Sequence, residues 1–187
     1  PPPRSRTECG YSVQSRGSLD LEGQYGLSKF FVNGHEIGQT HKRGLNFAII
    51  DRSTQLPVDS GHHFDTYSSP VQVAAMVTWL HSLSSTFLGH VVMVAAYDEA
   101  SGGLNTSPDA YAKLAEVLGS TLSHARPLCY RCGYALIARV KGDLLDEMAS
   151  VRRDQMANAL WDYEICRPPP VPPPPPSPPS PPPSPPP

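Results

Sequence analysis

Cys129 and Cys132 are separated by two residues, and this C-x-x-C is the pattern in the chain with the clearest chemical potential. Such a pair serves as a redox dithiol, as half of a zinc site or as a local disulfide. A redox dithiol belongs at the start of a helix, where the helix dipole lowers the pKa of a thiol. This pair instead precedes an apolar, strand-like segment, which favours a structural role.

The two remaining cysteines, Cys9 and Cys166, lie at opposite ends of the predicted domain. A four-thiolate zinc site would require them to converge on the C-x-x-C. We therefore predict structural disulfides between Cys129 and Cys132 and between Cys9 and Cys166. Four cysteines allow three connectivities, so the other pairings, zinc and redox chemistry stay open as alternatives.

A second candidate is a set of side chains that commonly ligate metals. Its members are His35, Glu36, His41, His62, His63 and Asp65. Neighbouring side chains of a strand point to opposite faces, so His62 and His63 are not expected to share one ion. We interpret His62, His63 and Asp65 as part of a solvated turn and predict neither a metal nor any other cofactor.

An acidic pair, Asp98 and Glu99, follows an apolar run, at the kind of strand end where α/β proteins place sites. The favoured interpretation is that one carboxylate braces the loop that follows. No serine-hydrolase elbow, phosphate loop, zinc-binding helix motif or dinucleotide fingerprint is present. The sequence does not indicate an enzyme.

The elements that position these residues are most evident between residues 88 and 142. Residues 91–96 are all apolar and rich in valine, which predicts a strand buried on both faces. Ser107 followed by Pro108 predicts a helix start, and Gly119 predicts its end. Residues 133–139 then form a second apolar strand.

Weaker signals place further elements on either side. Strands are predicted at residues 11–15, 29–33 and 47–51, and Asn33-Gly34 is a tight-turn signal. A helix is predicted to begin at Ser69-Pro70 and to end near Leu83. The spacing of Leu144, Leu145, Met148 and Val151 predicts another helix, with Asp143 as its cap. Residues 157–165 fit either a helix or a strand.

Four segments, in this order, resemble the ILEI/PANDER-like domain, which is also called the GG domain. They are residues 43–51, 64–67, 91–99 and 118–142. The resemblance implies an α/β (α+β) fold, a compact unit of antiparallel sheets lined by short helices. It also implies an extracytoplasmic protein, because family members include secreted cytokine-like proteins and sugar-handling surface proteins.

Some family members are thought to bind sugar through this domain. The positions of the present chain that match the family motifs are therefore possible ligand-binding positions. They are Arg43, Asn46, Asp65, Tyr67, Asp98 and Arg131.

Length and charge restrict the remaining possibilities. The 187 residues divide into an N-terminal proline-containing segment (1–8), a globular domain (9–167) and a proline-rich tail (168–187). The net charge of −2 and the lack of a basic block exclude a nucleic-acid partner, and no apolar run is long enough for membrane insertion. Four cysteines and a sequon at Asn105, a predicted N-glycan site, favour the secretory pathway.

The tail contains 16 prolines in 20 residues, together with one valine and three serines. Proline has a fixed φ and no backbone donor, so the tail is predicted to form a polyproline II rod. Its Ser-Pro-Pro spacing resembles the hydroxyproline-rich glycoproteins of plant and green-algal cell walls, which implies hydroxylated and O-glycosylated prolines. These are Pro168, Pro169, Pro170, Pro172, Pro173, Pro174, Pro175, Pro176, Pro178, Pro179, Pro181, Pro182, Pro183, Pro185, Pro186 and Pro187.

The first functional hypothesis is a non-enzymatic structural subunit of an extracellular fibre or cell wall. In it, copies of the chain assemble head to tail into a filament through the proline tail, which carries covalently attached glycans. The second hypothesis is a lectin-like module that binds extracellular carbohydrate and is displayed on a glycosylated stalk. The third is a secreted cytokine-like ligand.

Overall fold

The computed structural model describes residues 10–17, 26–38, 41–152 and 155–162. The strands are β1 (Gly10–Gly17), β2 (Leu27–Val32), β3 (His35–Glu36), β4 (Gly44–Ile50), β5 (Pro57–Phe64), β6 (Val91–Asp98), β7 (Tyr134–Arg139), β8 (Leu144–Ala149) and β9 (Ala157–Asp162). The helices are α1 (Pro70–Thr86), α2 (Ser101–Asn105) and α3 (Pro108–Leu118).

Strand β6 lies at the centre of the sheet. It pairs antiparallel with β4 on one side and β7 on the other, and β5 and β8 extend the sheet at its two edges. Val92 and Val94 belong to the apolar cluster beneath the helices, whereas Val91 and Met93 belong to a cluster on the opposite face. The prediction of a strand buried on both faces is therefore confirmed.

Strands β1, β2, β3 and β9 form the layer that covers this second face. β1 pairs antiparallel with β2 and with β9, and β2 continues to β3. β1 also joins β6 in parallel through Arg16 with Tyr97 and Gly17 with Asp98. This parallel contact brings the C-terminal ends of β1 and β6 together.

The two longer helices begin where the sequence predicts. The Ser69 side chain accepts a hydrogen bond from the Gln72 backbone N–H at 3.2 Å, and Ser107 caps α3 through Ala110 in the same way. Helix α3 ends at Gly119, which has the left-handed conformation with φ of 69°. Both helices bury an apolar side against β4, β6 and β7, which completes a layer of helices over the sheet.

The predicted helix after Gly142 is wrong. Residues 144–149 form β8, whose pairs with β7 include Leu136 with Glu147 and Ala135 with Met148. The helix-like spacing of the apolar side chains is outweighed by the pairing of this segment with β7. Within residues 157–165, for which the sequence left helix and strand open, residues 157–162 form β9.

The fold class is confirmed as α/β, with a mixed and mainly antiparallel sheet and short helices. Three predictions lie outside the described residues: the N-terminal segment 1–8, the Cys9–Cys166 pairing and the tail 168–187. In the part of the chain that the structure describes, no helix is long and apolar enough to cross a bilayer.

Candidate ligand-binding surface

Four strand ends meet at one edge of the sheet. The start of β4 lies beside the end of β6, the end of β5 lies beside β4, and β1 ends against Asp98. Gly44 permits this convergence: its φ is 108°, and a β-carbon there would lie 2.1 Å from the Phe64 carbonyl oxygen. The edge collects most of the motif positions that the sequence singled out.

Arg43 and Asp65 form an ion pair at this edge. Arg43 Nη2 donates to Asp65 Oδ2 at 2.6 Å, and Asp65 also accepts from the Ser68 hydroxyl at 3.0 Å and the Tyr67 backbone N–H at 3.2 Å. Burial alone would raise the pKa of Asp65, but hydrogen bonds from Arg43 and Ser68 outweigh it, and the pKa is lowered. The carboxylate is therefore charged and fixed in orientation.

Two tyrosines and a second arginine lie next to the Arg43–Asp65 ion pair. Arg43 Cζ lies 5.1 Å from the centre of the Tyr67 ring, and the Tyr67 ring lies 6.5 Å from that of Tyr130 at an interplanar angle of 53°. Arg131 Cζ lies 5.2 Å from the Tyr130 ring centre. We call Arg43, Asp65, Tyr67, Tyr130 and Arg131 the tyrosine–arginine surface; its Tyr130 side is well exposed, at 53%.

The side chain of Glu99 fixes the backbone of the turn that carries Tyr130 and Arg131. Its side chain is only 2% exposed, and its two oxygens accept the backbone N–H groups of Ser101 and Arg131. This matches the interpretation that one carboxylate of the acidic pair braces a loop. Asp98 has the left-handed conformation with φ of 60°. The pKa of the Arg43 guanidinium is raised mainly by its hydrogen bond to Asp65, and the charge of Asp98 makes a smaller contribution in the same direction.

The Cys129–Cys132 disulfide is present, with Cα atoms 5.3 Å apart. It closes a four-residue turn in which the Cys132 backbone N–H donates to the Cys129 carbonyl at 3.1 Å. Tyr130 and Arg131 are the two central residues of that turn. The predicted pairing of Cys129 with Cys132 is thus confirmed.

Asn46 is placed differently from the other motif positions. Its side chain is fully buried and makes a two-way contact with the backbone of Lys42: Nδ2 donates to the carbonyl at 2.8 Å and Oδ1 accepts the N–H at 3.1 Å. It fixes the segment that carries Arg43 into β4. Asn46 therefore supports the surface rather than lining it.

The predicted solvated turn at His62 and His63 is wrong, because both residues lie in β5. His62 Nδ1 contacts Asp59 at 2.6 Å and its ring stacks on Trp79 at 4.6 Å, while His63 Nε2 lies 3.1 Å from the Arg43 carbonyl. Among the described residues, no group of three or more histidine, cysteine or acidic side chains is arranged to hold a metal ion.

Asn105, the predicted N-glycan site, lies at the end of α2 and is half-buried. Its Nδ2 donates to the Leu128 carbonyl at 3.0 Å, and its Oδ1 accepts from the Tyr111 hydroxyl. A glycosylated amide nitrogen retains one hydrogen, so the contact with Leu128 is compatible with a glycan. The glycan stays a prediction.

The family model described as "interleukin-like EMT inducer" (ILEI) matches residues 43–143, more than half of the 187 residues. The chain belongs to the ILEI family. All five residues of the tyrosine–arginine surface lie inside the matched segment, as does the disulfide turn. No curated protein matches the sequence.

Tyr130 was not predicted from the sequence as a surface residue. It was visible only as a spacer of the C-x-x-C, and its proximity to Tyr67 depends on a turn whose shape the sequence did not reveal. The available signal was the C-x-x-C motif itself, because a disulfide between residues three apart closes a tight turn at the two residues between the cysteines. Considering the residues of that turn together would have added Tyr130 to Arg131, which the family motifs already indicated.

Proposed function

We propose that this ILEI-family chain is a non-enzymatic extracellular module that binds carbohydrate on the tyrosine–arginine surface. The observation that carries the proposal is the Tyr67–Tyr130 ring pair, half-buried at Tyr67 and exposed at Tyr130, which is flanked by Arg43 and Arg131. The family description, that of a cytokine-like protein, and the Cys129–Cys132 disulfide support an extracellular location.

The composition of the surface suits a sugar ring. One side of a pyranose is formed by C–H groups, which pack on the flat, apolar faces of tyrosine rings. Its hydroxyl groups need hydrogen-bond partners at the ring edge, and charged donors and acceptors make the stronger bonds. Arg43 and Asp65 supply a donor and an acceptor that already hold each other at 2.6 Å. Little side-chain ordering remains to be done on binding.

The test is a printed array of mono- and oligosaccharides probed with the globular domain. We expect saturable binding to one sugar class, and the Tyr130→Ala variant should weaken it about tenfold or more, as loss of a central aromatic anchor does. Leu88 is a matched control, since it is 65% exposed and lies in the turn before β6, at the opposite end of that strand from the surface. Binding that Leu88→Ala weakens as much as Tyr130→Ala, or a silent array, would contradict the proposal.

A second candidate, a structural subunit that joins copies head to tail, is favoured by the position at which β9, the last described strand, ends. β9 runs antiparallel to β1, and β1 runs parallel to β6. The end of β9 at Asp162 therefore lies at the start of β1, about 26 Å from the sheet edge that holds the surface, given a rise of about 3.3 Å per residue.

The sequence continues for 25 residues after Asp162, and 20 of these form the predicted proline rod. At about 3.1 Å per residue the rod is about 62 Å long, longer than a domain of roughly 40 Å. A rod that leaves one end of the domain is well placed to reach the aromatic surface at the other end of a second copy, because aromatic grooves bind polyproline. Such contacts are heterologous and build filaments.

Removing residues 168–187 separates the two candidates. The carbohydrate module keeps its sugar binding without the tail, whereas the structural subunit loses its filaments in electron micrographs. Filaments of unchanged length and repeat after the deletion would show that the tail is not the connector.

A further inference from the structure

The disulfide turn carries half of the tyrosine–arginine surface. Cys129 and Cys132 are three residues apart in sequence, and both residues between them, Tyr130 and Arg131, belong to the surface. The other half, with Arg43 and Tyr67, is attached to β4 and to the loop after β5. The separation of the two rings therefore depends on the conformation of one short turn.

In that turn, Arg131 has a backbone conformation that is unfavourable for a residue with a side chain. Arg131 has a φ of 56°, in the left-handed region that costs energy for a residue with a side chain. The contacts that help to keep it there include the disulfide, the hydrogen bond from the Cys132 N–H to the Cys129 carbonyl at 3.1 Å, and the hydrogen bond from the Arg131 N–H to Glu99. Loss of the disulfide removes the covalent constraint that opposes this strain.

The two sulfurs differ in access. Cys132 is 2% exposed, whereas Cys129 is half-buried, so an external thiolate reaches Cys129 Sγ first. Cys129 Sγ also lies 3.4 Å from the Ser150 carbonyl oxygen. A thiol formed at Cys129 would find an acceptor for its S–H there without moving far. The thiol form of Cys129 thus has a hydrogen-bond acceptor already in place.

We propose that the redox state of the Cys129–Cys132 disulfide controls the tyrosine–arginine surface. With the disulfide formed, the surface has the geometry that binds ligand. When the disulfide is reduced, the turn opens and binding weakens. The inference rests on the proposed function for its ligand. The reductant is a dithiol. One of its thiolates attacks Cys129 Sγ and expels the Cys132 thiolate, and its second thiol then attacks the mixed disulfide and releases Cys129. The dithiol becomes a disulfide, and both cysteines take up protons as thiols.

The test uses a Cys9→Ser, Cys166→Ser variant of the full chain, so that dithiothreitol acts on the Cys129–Cys132 bond alone. Hydrogen exchange is followed in the oxidised and reduced forms. We expect exchange at the Arg131 and Cys132 amides to rise about tenfold or more on reduction, while the β6 and β7 amides keep their protection. Reoxidation should restore the original pattern. These measurements need no ligand.

Binding is then measured on the same sugar array in both forms. We expect reduction to weaken binding about tenfold, and Cys129→Ala, Cys132→Ala to behave like the reduced form in both redox conditions. Unchanged exchange at Arg131 overturns the proposal, as does exchange that rises throughout the sheet, because the bond would then be purely structural. A local rise in exchange with an array silent in both forms would contradict the carbohydrate function and leave the opening of the turn established.

Discussion

The carbonyl oxygen of Arg131 lies 1.7 Å from the position that a β-carbon on Gly17 would occupy. Gly17 is the last residue of β1 and pairs with Asp98 of β6, so the disulfide turn rests directly on the junction of the two sheet layers. No side chain fits between them. The geometry of the tyrosine–arginine surface thus depends on a residue that takes no part in it.

The Gly17→Ala variant should displace either the turn or the end of β1. We expect the free energy of unfolding to fall by about 1–3 kcal/mol, the usual cost of overpacking, and sugar binding to weaken. Gly61→Ala is the control, since no atom lies within 4 Å of its added carbon and alanine suits a strand better than glycine. Denaturant unfolding of both variants tests this. Equal stability of the two would show that position 17 needs no glycine.

Glu116 gives the chain a measurable acid dependence. Hydrogen bonds from Lys113 and from Lys141 lower its pKa from the usual 4.5 to about 2. A carboxyl group with a depressed pKa contributes stability that is present above 4.5 and is lost as the pH falls towards 2. We therefore expect wild type to exceed Glu116→Gln in stability at neutral pH, and the difference to disappear across this window.

The measurement is thermal unfolding of both proteins from neutral pH down to about pH 2, at low and at high salt. Because the carboxylate is exposed, high salt should shrink the difference at neutral pH. A difference between wild type and variant that is independent of pH would mean that the lysine contacts do not stabilise the charged form.

Local signals predicted the helices and the central strand because the information lies within a few residues. Ser69 and Ser107 each cap the helix that follows, and the apolar run of β6 needs no partner to be recognised. Strand β8 was missed since its identity depends on pairing with β7, and Leu144 and Met148 fit either period. Pairing between distant segments is what a single sequence conveys least.

The surface was predictable only in part for the same reason. Arg43, Asp65 and Tyr67 lie within motifs that resemble those of the family. The resemblance therefore indicated them as possible ligand-binding positions. Tyr130 approaches Tyr67 only because Glu99 and the disulfide fix its turn, and Glu99 is 32 residues away from the N–H that it accepts. No local sequence pattern predicts the contact between Glu99 and the Arg131 N–H.

The tail provides a prediction that depends on composition alone. Its 16 prolines are predicted to form a rod without internal hydrogen bonds, in which every ring is open to modifying enzymes. We expect native material to contain hydroxylated and O-glycosylated prolines between residues 168 and 187. Mass spectrometry of the C-terminal peptide checks this, with recombinant bacterial protein as the unmodified reference. A native tail of unmodified mass would remove the likeness to cell-wall glycoproteins.

Ser107 has two roles that substitutions can separate. It completes the sequon of Asn105, and its hydroxyl accepts the Ala110 N–H as the cap of α3. Ser107→Asp removes the sequon but keeps a good cap, whereas Ser107→Ala removes both. We expect both variants to lose the N-glycan, and the alanine variant to be about 1 kcal/mol less stable than the aspartate variant.

The comparison needs the mass of each protein before and after enzymatic deglycosylation, and its unfolding midpoint. Ser107→Thr, which retains both roles, is the control and should keep the glycan mass and nearly all of the stability. If wild type and Ser107→Asp have equal masses apart from the substitution, Asn105 carries no glycan. If Ser107→Ala matches Ser107→Asp in stability, the cap does not contribute to the folding of α3.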